Sequence, residues 1–243
     1  MSFAIHAITL DLDDTIWPVA PAINRAEAAL DAWLLAHAPR AAQRWPLHAR
    51  RTLRDQVDAE HPQLAHDFTR QRLITLERML RDSGEDVALV DSAFEAYFAA
   101  RCEVEHYDDS LDALRRLSAR VPLAALSNGN ACLTRIGLMP LFRFQLGARE
   151  HGAAKPAASI FHAACAQLGL RPAQVLHVGD DIALDIVGAA QAGLRTCWIN
   201  RSDHDGHVRP WPQRTLRPDL EFPTLAALAD WLDATHANEQ SAA

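Results

Sequence analysis

Asp11, Asp13 and Asp14 crowd three carboxylates into four positions, directly after the apolar and β-branched run Ala7-Ile8-Thr9-Leu10. Like charges this close repel, so the pattern anticipates a positive partner. Further polar groups follow in the chain: Ser127-Asn128-Gly129, Lys155-Pro156 and Gly179-Asp180-Asp181. Asp11 and Asp180 suit a hard divalent cation, and Mg2+ prefers a few carboxylates with waters and a substrate phosphate. Ser127, with the backbone N–H groups of Asn128 and Gly129, offers donors to phosphate oxygens, and Lys155 adds a positive charge. Such a set is equipped for phosphoryl transfer, which relies on positioning and charge neutralisation. Asp13 is placed to act as general acid on a leaving-group oxygen and then as base toward water.

Bringing these groups together requires elements that converge. Residues 5–12 form a short apolar strand pattern, and 121–126, 175–178 and 195–199 repeat it, with a weaker strand near 142–146. Helical spacing connects them: Leu111, Leu114 and Leu117; Ile160, Phe161, Ala164 and Leu168; and residues 183–192. Strands alternating with helices predict an α/β fold, a Rossmann-like parallel sheet with helices on both faces. Ligands of such sheets bind at the carboxyl ends of the strands, where DLDDT, SNGN and GDD fall.

Between the first and second strands the character changes. Ala26, Ala29, Leu30, Trp33 and Leu34 share one helix face, and 68–80 and 87–98 repeat the signal around a break at Ser83-Gly84. The expected division is therefore a core domain of 1–17 and 109–243, with 18–108 inserted as a helical cap. The tail from Ala234 is expected to fray.

The 243 residues, 49% hydrophobic and 23% charged, describe a globular chain with enough length for a real core. A formal net charge of −7 without a basic run argues against nucleic acid as a partner. No apolar run approaches a membrane span, and no charged segment with a cleavage site opens the chain. Cys102, Cys132, Cys165 and Cys197 show neither CxxC nor zinc spacing, so reduced thiols and a cytoplasmic location are expected, with Cys132 buried. Oligomeric state is left open.

DLDDT (11–15), LSNGN (126–130), Lys155-Pro156 and VGDDIALD (178–185), in that order, resemble the four motifs of the haloacid dehalogenase-like hydrolase superfamily. The insertion lies where that superfamily carries its helical C1 cap, so the resemblance covers nearly the whole chain. It implies Asp11 as the nucleophile of an aspartyl-phosphate intermediate and Asp13 as general acid/base, with its backbone carbonyl toward the metal. Ser127 and Lys155 match phosphate binders, Lys155 also steadying Asp11, and Asp180 matches the Mg2+ ligand. The metal set implied is thus Asp11, Asp13 and Asp180, with Asp181 and Asp185 placed behind it. True dehalogenases of the superfamily lack an Asp at the position of Asp13 and its P-type ATPases carry Thr, so Asp13 points to a phosphatase acting on small phosphate esters. HDFTRQR (66–72), SNGNA, HGAAKP, LHVGDD and CWINR resemble the bacterial subgroup acting on 5-amino-6-(5-phospho-D-ribitylamino)uracil in riboflavin synthesis, which also hydrolyses FMN. Ala157 departs from the acidic or polar residue usual two positions after the lysine.

Other residues carry competing readings. Trp17 could stack on a flavin or pyrimidine ring, or pack as a hinge. Arg70 and Arg72 could reach a ribityl chain or phosphate, or line a solvated helix face, and His66 is similar. Asp14 reads as structural, and Thr15 as a phosphate-loop donor or a turn cap. The SDHDGH stretch (202–207) reads as a surface loop rather than a metal site. Alternative functions are a broad-range sugar or nucleotide phosphatase, a sugar phosphomutase, and a non-hydrolytic phosphoacceptor like a response-regulator receiver.

Overall fold

Ala7–Leu10 (β1) is buried at every position, which fits only a strand covered on both faces. In the computed structural model, which describes residues 4–202, 206–212 and 215–241, β1 lies inside a six-stranded sheet. The others are β2 (Leu123–Ser127), β3 (Gln145–Gly147), β4 (Val175–Gly179), β5 (Arg195–Ile199) and β6 (Leu220–Phe222). Every pairing is parallel, in the order β3-β2-β1-β4-β5-β6. Strand order reverses at β1, which is hydrogen-bonded to β2 on one side and β4 on the other. Such a switch point opens a crevice at the carboxyl ends of the strands. Leu10 is in register with both Ala125 and Val178. Asp11, Ser127 and Asp180, one or two residues further along, therefore reach the same edge.

The chain divides into two compact units. The sheet unit comprises Met1–Pro18, His106–Gly129 and Gly137–Ala243, and the helical unit Val19–Glu105 with Asn130–Ile136. The sequence pattern had not separated that last segment from the sheet. Asn130 donates to Thr69 (3.4 Å) and Arg135 pairs with Glu95 (2.5 Å), which ties it to the helices.

The second unit includes the helices Val19–His37, Pro39–Arg44, Leu47–Glu60, Phe68–Asp82 and Val90–Arg101, with the short helix Leu133–Ile136. Their apolar faces meet in a core that includes Leu30, Leu34, Leu53, Leu76, Met79 and Tyr97. Glu27 is buried in this unit with Arg72 at 2.8 Å and Arg50 and Arg54 at 3.5 Å.

Two elements of the sheet unit were not anticipated. β6 is three residues long and its pattern is too short to register. The tail expected to fray instead continues a helix, Leu225–Ser241. Leu225, Leu228, Ala229 and Leu232 are buried, and Arg116 of the Ser110–Arg120 helix pairs with Asp230 and Asp233. Its first turn is capped from a distance, because Asp109 accepts the N–H groups of Leu225 and Ala226. Among the described residues no helix is long and apolar enough to cross a membrane. All four cysteines are free, and Cys132 is half-buried rather than buried.

Candidate active site

Asp11 extends β1 by one hydrogen bond, its N–H donating to the Val178 carbonyl at 2.9 Å. The chain then turns sharply. Asp14 takes a left-handed conformation (φ 59°), which Asp tolerates better than most residues. Its N–H reaches back to the Trp17 carbonyl at 2.7 Å. The turn sets Trp17 beside Asp13, and the indole N–H donates to Asp13 Oδ1 at 2.8 Å. Trp17 is 0% exposed, with His106 edge-on at 5.8 Å. Of its two readings, stacking on a ligand ring or packing as a hinge, the burial fits packing, and the indole N–H holds Asp13.

The Lys155 ammonium lies 2.5 Å from Asp11 Oδ1 and 2.6 Å from Asp185 Oδ1, with the residue only 3% exposed. Asn128 clamps its backbone from both sides: the amide nitrogen donates to the Lys155 carbonyl (2.9 Å), and the amide oxygen accepts the Lys155 N–H (2.7 Å). The side chain of Asn128 is thus a brace for the lysine, while the phosphate contact expected of Asn128 is from its backbone N–H. Gly129 N–H donates to Ser127 Oγ at 3.0 Å, so this expected phosphate donor is turned onto its neighbour. A Cβ on Gly188 would stand 2.8 Å from Pro156 Cβ, so only glycine lets the helix start approach the lysine turn.

Asp180 follows β4. Its backbone carbonyl accepts from the Trp198 indole (2.9 Å) and Arg209 (2.7 Å), and Thr15 Oγ1 donates to its carboxylate at 3.4 Å. Thr15, read as a phosphate-loop donor or a turn cap, is tethered to Asp180 in this structure. Asp181 caps the following π-helical turn, Ile182–Val187, accepting from Ala183 and Leu184 at 2.8 Å each. A Cβ on Gly179 would collide with the Asp185 carboxyl group. Beside Asp180 lies a cavity of about 550 Å3 lined by Asp14, Tyr107, Arg201, His207 and Arg209. The metal-like centre of the SDHDGH stretch, residues 203–205, lies outside the described residues.

Carboxylate oxygens of Asp11, Asp180 and Asp185 lie within 4.8 Å of one another. Asp185 is already spoken for. Its Oδ1 accepts from Lys155 and His177, and its Oδ2 from the Asp181 N–H. Asp13 does not bring its carboxylate into this group; the part expected of it was its backbone carbonyl. Asp11 and Asp180 therefore remain as the carboxylates with room for a cation.

The electrostatics agree. Burial pushes Asp11 well above the ordinary carboxylate range; Lys155 offsets this only partly, because Asp185 and Asp13 add negative charge. Burial alone would lower Lys155, but the charges of Asp11 and Asp185 outweigh it and hold the ammonium protonated. Burial would raise Asp185, yet Lys155 and His177 keep it ionised, well below its usual range. Burial, followed by the charges of Asp185 and Asp14, lifts Asp180 to about 7. The Lys155 ammonium faces the two buried carboxylates of Asp11 and Asp185, with the half-buried Asp180 close by, an excess of negative charge of the kind a divalent cation would offset.

The cap residues fare differently. Arg72 is buried inside the helical unit, bonded to Glu27 and to the Tyr97 hydroxyl (2.8 Å), with its guanidinium 4.0 Å from the Tyr97 ring centroid. That corrects its reading as a substrate or solvent-facing arginine. Arg70 is exposed on the same helix, and its N–H is bonded by the capping Asp67 (2.8 Å). His66 is half-buried.

Three contacts around the lysine have no counterpart in the sequence pattern: the brace by Asn128, and the register partners Thr9 and His177 behind it. The available signal was a polar residue at matching places in two otherwise apolar strands, two positions before Asp11 and before Gly179.

Against known proteins, the family model described as haloacid dehalogenase-like hydrolase matches residues 5–193. The Escherichia coli (strain K12) protein named 5-amino-6-(5-phospho-D-ribitylamino)uracil phosphatase YigB is 33% identical over 228 residues, covering 92% of this chain and 94% of that protein. The glyceraldehyde 3-phosphate phosphatase of Methanopyrus kandleri is 28% identical over 82% of this chain and 86% of its own length. A crystal structure described as 2-haloacid dehalogenase from Pseudomonas syringae pv. Tomato DC3000 superposes with a TM-score of 0.85 at 34% identity, covering 95% of this chain and 99% of that one.

Proposed function

Since the chain belongs to the haloacid dehalogenase-like hydrolase family and is a phosphatase, we propose that it is a Mg2+-dependent phosphomonoesterase acting through a phosphorylated Asp11, on 5-amino-6-(5-phospho-D-ribitylamino)uracil and FMN. The observation that carries the reaction type is Asp13, two residues from Asp11 and held by the Trp17 indole. A halide departs as a stable anion, whereas an alkoxide leaving group needs a proton, and a dehalogenase has no use for an acid there. This favours the phosphatase-named relatives over the dehalogenase-named structure as guides to chemistry.

Asp11 Oδ attacks phosphorus while the ester P–O bond breaks, and the departing oxygen takes the proton from Asp13. Asp13 then removes a proton from water, whose oxygen attacks the phospho-aspartate, freeing phosphate and Asp11. Lys155 holds Asp11 in line and opposes the charge gathering on the phosphoryl oxygens. Ser127 supplies a hydroxyl donor to the same oxygens. Asp11 and Asp180, with the Asp13 carbonyl, would hold the Mg2+, which when bound would supply positive charge against the phosphate oxygens and favour the ionised form of both carboxylates.

The substrate assignment rests on the YigB likeness and on the cap motif, and cap residues govern specificity within one chemistry. The test is phosphate release, with and without chelator, ranked by kcat/KM over the ribitylaminouracil phosphate, FMN, sugar phosphates and nucleotides. A hundredfold preference for the first, about 2.7 kcal/mol of transition-state binding, supports the pathway role. A flat profile favours the broad-range sugar or nucleotide phosphatase instead. Asp11→Asn should lower turnover at least about 10^4-fold. Full activity in that variant removes the nucleophile assignment.

A further inference from the structure

Behind Lys155 runs a line of polar groups with no access to solvent. Thr9 and His177 are register partners on β1 and β4, so their side chains share one face of the sheet. Thr9 Oγ1 lies 2.9 Å from His177 Nδ1, and His177 Nε2 lies 3.1 Å from Asp185 Oδ1. That same Asp185 oxygen accepts from Lys155, which reaches Asp11. Phe161 meets the imidazole edge-on at 5.0 Å, closing off its remaining freedom. An ionised Asp185 only accepts, so Nε2 carries the ring proton, leaving Nδ1 to accept the Thr9 hydroxyl. Burial lowers the pKa of His177 and keeps the ring neutral, in agreement with one donating and one accepting nitrogen.

We propose that His177, itself set by Thr9, is a positioning residue that fixes the Asp185 carboxylate so that Lys155 is aimed at Asp11. This rests on the phosphatase reading above, in which Asp11 is the nucleophile. The geometry is that of an orienting second layer: the group touching the reacting atom is held by a carboxylate, which is held in turn by a neutral ring. Asp185 has two cationic or N–H donors on Oδ1 and one on Oδ2. Without the ring donor, the carboxylate can rotate toward the ammonium and carry it away from Asp11.

Two amides separate positioning from bulk structure. In His177→Gln the amide nitrogen falls near the place of Nε2, so donation to Asp185 survives. In His177→Asn the amide reaches only the Nδ1 level, so Thr9 keeps a partner and Asp185 does not. The expected result is near wild-type kcat for His177→Gln. For His177→Asn, kcat falls between about tenfold and a hundredfold with KM for the phosphate ester little changed. Thr9→Val lowers kcat less, in the same direction. Equal kcat in the two amide variants, or losses that merely follow their melting temperatures, would overturn the proposal. If His177→Asn does not fold, Thr9→Val against His177→Gln decides: kcat equal to wild type in Thr9→Val overturns the part given to Thr9, and a large loss in His177→Gln overturns the part given to His177. Wild-type protein without phosphate release would instead defeat the parent reading, since the comparison presupposes an active enzyme.

Discussion

In the proposed reaction Asp13 gives a proton to one oxygen and takes a proton from another, and the choice of leaving group separates the two events. With an alkyl phosphate, Asp13→Asn removes both and should lower kcat by about 10^2 to 10^4-fold. With an aryl phosphate such as p-nitrophenyl phosphate the first step needs no acid. The variant should then release a stoichiometric burst of nitrophenolate, followed by slow turnover as phospho-Asp11 waits for an activated water. Stopped-flow absorbance reads this directly, and slow release without a burst would place the defect in the first step. The indole N–H of Trp17 holds the Asp13 carboxylate at 2.8 Å, so Trp17→Phe should weaken the same steps more mildly.

Two glycines and one arginine show how elements hold the site. The turn after β4 passes so close to Asp185 that a methyl group on Gly179 has nowhere to go. Gly179→Ala should cost about 1–3 kcal/mol in urea unfolding and lower kcat as well, because the displaced group is the carboxylate that anchors Lys155. In the helical unit Arg72 joins Glu27 and Tyr97 in the interior. Arg72→Met should destabilise the protein by up to about 3 kcal/mol while leaving KM per folded enzyme unchanged, since Glu27 keeps Arg50 and Arg54. A raised KM with unchanged stability would restore Arg72 to the substrate side. Arg70, exposed on the same helix, carries the opposite expectation if the cap motif contacts substrate.

For the molecule as a whole, the raised pKa of Asp180 couples folding to pH and, on the proposed reading, to a divalent cation. Its pKa is about 7 in the folded chain against an ordinary carboxylate value of 3.8, owing to burial and then to Asp185 and Asp14. A group raised on folding favours the fold below its unfolded pKa, and that contribution is lost as pH climbs through the folded value. The metal-free protein should therefore lose this part of its stability between about pH 4 and 7. A bound divalent cation removes the penalty, so Mg2+ should raise Tm more at pH 8 than at pH 5.5. Asp180→Asn should shrink that difference, leaving the part due to Asp11. Equal Mg2+ stabilisation at both pH values, measured by calorimetry, would detach Asp180 from the metal.

The alternation of apolar runs and helical spacing is a local property, and from it the α/β class, the parallel sheet and the motif-bearing strand ends were legible residue by residue. The carboxylates, the hydroxyl and the lysine were legible too, because residue type and spacing are written in the chain itself, whereas their protonation is set by what surrounds them. What surrounds them required the fold. Whether Trp17 and Arg72 meet a ligand or a core is decided by burial, and the sequence shows only that a large or charged side chain is present. The short strand Leu220–Phe222 and the helix beyond it are stabilised by neighbours far along the chain, notably Asp109 and Arg116, so local pattern undervalued them. The pairing of Thr9 with His177 is the sharpest instance. Their contact is a matter of strand register, and register is set by how two strands 168 positions apart lie side by side, which no local spacing encodes.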